Sequence, residues 1–144
     1  GDGVSKDSYI SRSKEYNLNN VFFLPPVNIK QIPKLVDNFD IAYMGGVHSI
    51  LHKFGTSMNK MTDYMLCRKP ILFSVDEPNS VVEKVNCGIR VDAEDAKSVA
   101  VAILKFLCMT FEERKKMGER GYNHAKNHLA YDLLADRFIK EIFI

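Results

Sequence analysis

Apolar residues in this chain fall into two patterns that take turns: short unbroken runs, and stripes spaced three or four apart. The runs at residues 21–24 (VFFL), 40–44 (DIAYM), 71–74 (ILFS) and 89–91 (IRV) predict short strands, the apolar ones covered on both faces. The first is stopped by Pro25 and Pro26, and the second runs into Gly45 and Gly46. Between and after them the spacing predicts helices. One covers residues 6–16, and a short one carries Ile29, Ile32, Val36 and Phe39. A third starts near Ser57 with Met58, Met61 and Met65 on one stripe, and a fourth lies near residues 81–85. Asp95 is placed to cap a helix bearing Val99, Ala102, Ile103, Phe106 and Leu107. Thr110 and Glu113 have capping-box spacing at the head of another, with Glu112 and Lys116 an i, i+4 pair, and a last helix carries Leu134, Phe138 and Ile142.

Strands that alternate with helices predict an α/β fold, a Rossmann-like parallel sheet flanked by helices. Ligands of such sheets sit outside the carboxyl ends of the strands. That places residues 25–28, 45–48 and 74–79 on one rim with the start of the third helix. This start is the richest chemical signal. Thr56 or Ser57 can cap it, and Met58, Asn59 and Lys60 form its first turn, so backbone N–H groups without intrahelical acceptors lie beside an ammonium. Such a terminus suits a phosphate. The plainer reading is an ordinary capped helix with Lys60 and Asp63 as a surface ion pair. Cys67, Arg68 and Lys69 put cations at its far end, and Pro70 stops it.

Composition narrows the classes. The 144 residues fit one domain, 1–144, and the 46% apolar content is enough for a packed core. A net charge of +2 with scattered basic residues argues against nucleic acid as a partner. Cys67, Cys87 and Cys108 are odd in number and widely spaced, which favours reduced thiols in a cytoplasmic compartment. No run approaches the roughly 20 apolar residues of a membrane span. His48 with His52, and His124 with His128, are four apart, but neither pair encloses the glutamate of a zinc hydrolase, so no metal is expected. No glycine-rich dinucleotide turn opens a helix after a strand, and Asn59 breaks the serine-hydrolase elbow around Ser57.

The run GTSMNKMTDYMLCRKPIL resembles the donor-nucleotide segment of GT-B-fold glycosyltransferases of family 4, nearest to members that build bacterial surface polysaccharides and lipopolysaccharide. Ser57, Asn59, Lys60, Asp63, Tyr64, Met65, Lys69 and Pro70 match that pattern, whereas Met58 replaces a proline and Arg68 a glycine. GDGVSKDSYISRSKEYNLNNVFFLPPV and EERKKMGERGYNHA are similar to the family's opening turn, helix and strand and to its closing helix.

The resemblance implies the C-terminal half of a GT-B fold, lacking the first strands of that domain and the whole acceptor-binding N-terminal domain. It implies a retaining transferase of hexosyl or N-acetylhexosaminyl type, with a nucleotide sugar as donor substrate, expected to be a uridine diphosphate (UDP) sugar, and no separate cofactor. The amides of Met58, Asn59 and Lys60 would hold the diphosphate beneath the Ser57 cap, with the Lys60 side chain as the catalytic charge. Asp63 would accept from ribose hydroxyls, the Val27 backbone would meet the base, and Gly1 and Gly3 would let the backbone approach the nucleotide. Many relatives carry two acids eight positions apart, the first on the sugar and the second on ribose; Asp63 matches the second, and the first falls on Gly55, or on His52 if the loop carries an insertion.

The acceptor, a glycan or a lipid-linked one, would be reached through the missing domain, bringing the complete protein to the inner membrane face. The chain alone is then expected to be an inactive fragment. Strand 21–24, short of its neighbours, is expected to shift beside the strand at 41–44 or to be completed by another chain, whether a strand-swapped copy or a separate acceptor-domain chain. The competing reading, supported by Gly55 in place of an acid, is a noncatalytic Rossmann-like module for protein association.

Overall fold

The computed structural model describes residues 3–56 and 59–142, and the chain divides into two compact units, Gly1–Lys34 and Leu35–Ile144.

The first unit is built on helix α1 (Lys6–Glu15), a polar helix with no buried residue. It closes where Asn17 turns to φ 52°, so that the Leu18 N–H reaches the Ser13 carbonyl (2.9 Å) and the Asn17 N–H that of Lys14 (3.0 Å). Asparagine tolerates this left-handed position better than most residues. Residues 21–28 then run without regular structure until Asn28 caps a 3-10 turn, Ile29–Gln31, by accepting the Lys30 N–H at 3.0 Å. Helix α2 (Ile32–Val36) follows across the boundary between the units.

The strand expected at 21–24 therefore does not form, and among the described residues the sheet has the order β1-β2-β3, with no pairing from 21–24. A run such as VFFL shows that a segment can be buried, but only a hydrogen-bonded neighbour makes it a strand.

The second unit holds that sheet: β1 (Ala42–Gly45), β2 (Ile71–Ser74) and β3 (Gly88–Val91), all parallel, with Ala42 opposite Ile71 and Ile71 opposite Gly88. Helices α3 (Asn59–Leu66), α4 (Val81–Lys84), α5 (Ala96–Cys108), α6 (Phe111–His128) and α7 (Tyr131–Ile142) complete it. Each residue of β2 is buried, as the apolar run 71–73 required, and Ser74 is satisfied by donating its hydroxyl to the Asp92 carbonyl at 3.0 Å. The pleat sends Ile71 and Phe73 into one cluster with Met61, Met65, Val82, Cys87 and Ala125, and Leu72 into another with Ala102, Phe106 and Met117. Burying a side chain such as Phe73 contributes roughly 1.5–3 kcal/mol.

The caps predicted at Asp95 and Thr110 form. Asp95 Oδ1 accepts the N–H groups of Lys97 (3.0 Å) and Ser98 (3.1 Å). Thr110 Oγ1 accepts from the Glu113 N–H at 3.2 Å, while Glu113 Oε2 accepts the Thr110 N–H at 2.7 Å. Among the described residues no helix is long and apolar enough to cross a membrane.

The far end of α3 is fixed by α6. Arg68 adopts φ 54°, letting the Lys69 N–H reach the Tyr64 carbonyl (3.0 Å) and its own N–H that of Met65 (2.9 Å). Its guanidinium stacks 3.7 Å from the Tyr122 ring centroid and pairs with Glu119 at 3.0 Å, offsetting the strain of a side chain in a left-handed turn.

Candidate active site at the carboxyl end of β1

A cleft of about 390 Å³ opens in the second unit, lined by Tyr43, Met44 and Gly45 from the end of β1 and by Asn59, Lys60 and Tyr64 from α3. Met61 and Met65 face the core, which turns the face of α3 bearing Lys60 and Tyr64, one turn apart, toward the opening. The Tyr43 hydroxyl lies over Gly45, where a Cβ would stand 2.5 Å from it, so a side chain at 45 would displace the ring. Partial burial, aided by the charge of Asp63, raises the pKa of the Tyr64 phenol and keeps its proton. The cleft thus gathers an ammonium, an amide and two phenols around the first turns of a helix. Chemically that set offers hydrogen-bond donors and positive charge to an anion.

Of the residues singled out in the sequence, Asn59 and Lys60 line this cleft together. Asp63 is exposed on the same helix and is not part of the lining, and no ion pair joins it to Lys60 among the described residues. Gly3 and Val27 belong to the first unit, where both are exposed. Gly1, Ser57 and Met58 lie outside the described residues.

Gly55 stands at φ 98°, closing the 3-10 turn Ile50–Phe54, a conformation that an acidic side chain would strain. A carboxylate does stand beside it: Glu77 Oε1 is 3.9 Å from where a Gly55 Cβ would be, and Glu77 Oε2 accepts the Thr56 hydroxyl at 2.5 Å. Among the described residues the buried Nδ1 of His52 finds no hydrogen-bond partner.

Beside the cleft the three loops leaving the strands meet. The His48 ring Nδ1 is hydrogen-bonded to Asp76 Oδ2, and the His48 backbone N–H donates to Glu94 Oε2 at 3.0 Å. Asp76 Oδ1 accepts the Ala93 N–H at 2.9 Å. The hydrogen bond to Asp76, then its charge, raises the pKa of His48; the Ala93 N–H, then His48, lowers that of Asp76. The histidine pair at 48 and 52 is thus split between a loop and a 3-10 turn, and His124 and His128 lie with ring centroids 4.9 Å apart on α6. Among the described residues no three His, Cys, Asp or Glu side chains gather so as to hold a metal ion.

Sequence reasoning gave no site role to Tyr43, nor to Tyr64, which it matched to the family motif; the place of Tyr64 one turn beyond Lys60 could have set it at the site. The contacts of Thr56 with Glu77 and of His48 with Asp76 and Glu94 span 21 to 46 residues and had no local signal.

The family model described as glycosyl transferases group 1 matches residues 1–124. No curated protein and no solved structure matches the chain.

Proposed function

Because the chain belongs to the glycosyl transferases group 1 family, we propose that the cleft between β1 and α3 receives the diphosphate of a nucleotide-sugar donor. One observation carries this reading: Asn59 and Lys60, in the opening turn of α3, line the same cleft as the carboxyl end of β1. The first turn of a helix offers N–H groups that lack intrahelical acceptors, and its dipole favours an anion there. Lys60 adds a full positive charge to that field.

The reaction needs that charge late. As the bond from the anomeric carbon to the diphosphate breaks, negative charge grows on the leaving oxygen and the sugar takes on oxocarbenium character. Donors already aimed at the diphosphate strengthen most at that point, so they lower the barrier more than they tighten ground-state binding. Lys60 is the catalytic residue in this sense, touching the leaving group, while Asn59 and the phenols of Tyr43 and Tyr64 orient it. Asp63, exposed three residues beyond Lys60, is assigned to the ribose hydroxyls.

The finer assignments follow the sequence resemblance: a retaining enzyme of family 4, a uridine diphosphate sugar as donor, and a glycan or lipid-linked acceptor held by a separate acceptor domain in bacterial polysaccharide assembly at the inner membrane face.

Calorimetry with uridine diphosphate tests the reading directly. Millimolar or tighter binding is expected, weakened about tenfold to a hundredfold in Lys60→Ala, the worth of a charge-assisted hydrogen bond. A folded protein that takes up no nucleotide, or a Lys60→Ala variant with unchanged affinity, would overturn it.

A further inference from the structure

We propose that His48 is a positioning residue for donor binding, clamping the segment between β1 and α3 to the two neighbouring rim loops so that α3 presents Lys60 to the cleft. The proposal rests on the reading of that cleft as the donor site.

The segment is tied near both of its ends. At its start the Gly46 N–H donates to the Ser74 carbonyl at 2.9 Å, and His48 follows with its ring on Asp76 and its backbone N–H on Glu94. At its far side, three residues before Asn59, the Thr56 hydroxyl donates to Glu77. Asp76 and Glu77 are adjacent on the loop after β2, and Glu94 lies on the loop after β3. The bond from the Ala93 N–H to Asp76 joins those two loops to each other. All three strands therefore deliver their outgoing chain into one network, with a single imidazole at its centre.

The network is built rather than incidental. Glu94 holds φ 56°, a left-handed conformation that a glutamate keeps only where its surroundings fix it. Arg90 also acts on these acids: its Nε donates to the Val75 carbonyl at 3.1 Å, its terminal nitrogen pairs with Asp92 at 2.9 Å, and its charge adds to the lowering of the Asp76 pKa behind the Ala93 N–H and His48.

The charged groups acting on His48 are Asp76 from the loop after β2 and Asp92 and Glu94 from the loop after β3. All are acidic, so they attract the imidazolium and not the neutral ring. Since the folded pKa of His48 is raised, the contribution of its charge is complete below the unfolded value and is lost as pH rises through the folded one, leaving the backbone N–H bond to Glu94. The positioning of Lys60 should weaken over the same interval.

The test uses the intact chain, uridine diphosphate as probe, and three variants. In the wild type, His48 should titrate above a free imidazole by NMR, Asp76→Asn should bring that value down, and amide exchange at residues 46–56 should quicken as the ring loses its proton. Affinity for uridine diphosphate should fall about threefold as pH rises through the His48 titration observed by NMR, relative to His48→Gln, which should be weaker at the acid end and show no such step. Reading the difference between the two proteins cancels the titration of the diphosphate itself.

A His48→Gln protein with wild-type affinity, exchange and pH profile, in a background where Lys60→Ala still weakens binding, would overturn the clamp alone. Unchanged affinity in Lys60→Ala would overturn the donor site, and the clamp with it.

Discussion

Replacing Gly118 with alanine should destabilise the second unit by about 2 kcal/mol, even though alanine is the better helix former. Gly118 lies within α6 where that helix crosses the end of α3, and a Cβ built there stands 1.9 Å from the Arg68 carbonyl oxygen and 2.5 Å from its carbon. These atoms are backbone, in a turn already closed by the hydrogen bonds of Arg68 and Lys69, so no side-chain rotation relieves the clash. The helices must separate by roughly 1 Å, and overpacking of this kind costs about 1–3 kcal/mol or more. Propensity returns only about 1 kcal/mol, and separation also thins the cluster holding Met65 and Ala125. Gly121→Ala provides the contrast. Its Cβ would meet Cys87 Cβ at 3.2 Å and Met65 Cγ at 3.3 Å, contacts that a few tenths of an ångström relieve. Urea unfolding followed by circular dichroism reads both variants. A Gly118→Ala protein as stable as the parent, or more stable than Gly121→Ala, would show that the close crossing of α3 and α6 is wrong.

Arg68 tests the same junction from its other side: Arg68→Gly should be more stable than Arg68→Ala by about 1 kcal/mol, because both lose the Tyr122 stack and the Glu119 pair but only glycine relieves φ 54°. Equal unfolding midpoints for the two would remove the left-handed turn. At the head of α6, Thr110→Ala should cost about 1 kcal/mol through loss of the capping box. The Glu113 carboxyl is held below its ordinary range, first by the Thr110 N–H and then by its hydroxyl. That contribution is complete above about pH 4.3 and is lost as pH falls through the lowered folded value, so the penalty of Thr110→Ala should shrink in acid. A penalty that stays constant to the acid limit would contradict the cap.

Residues whose partners are close in sequence were legible before any coordinates. The strand at 71–74 was legible because the apolar run 71–73 follows directly on the helix-stopping Pro70, and the caps at Asp95 and Thr110 followed from side chains two or three positions from the amides they bind. Asn59 and Lys60, which line the cleft together, were singled out the same way, from a helix start and a matched motif. The run at 21–24 shows where such inference stops: its composition is that of a strand, but pairing is decided by a neighbour that composition does not contain.

By itself, then, the sequence determined the alternation of strands and helices from residue 40 onward, the helix caps at Asp95 and Thr110, and the family to which the chain belongs. Only the tertiary structure decided that Tyr43 meets Lys60 across a cleft, that Glu77 stands beside Gly55, that Gly118 rests on the carbonyl of Arg68, and that three loops converge on His48. Periodicity and capping act over a few residues and leave their mark in neighbouring letters. Cleft, crossing and clamp join residues 17 to 50 positions apart, and what brings them together is the burial of two apolar faces of one sheet.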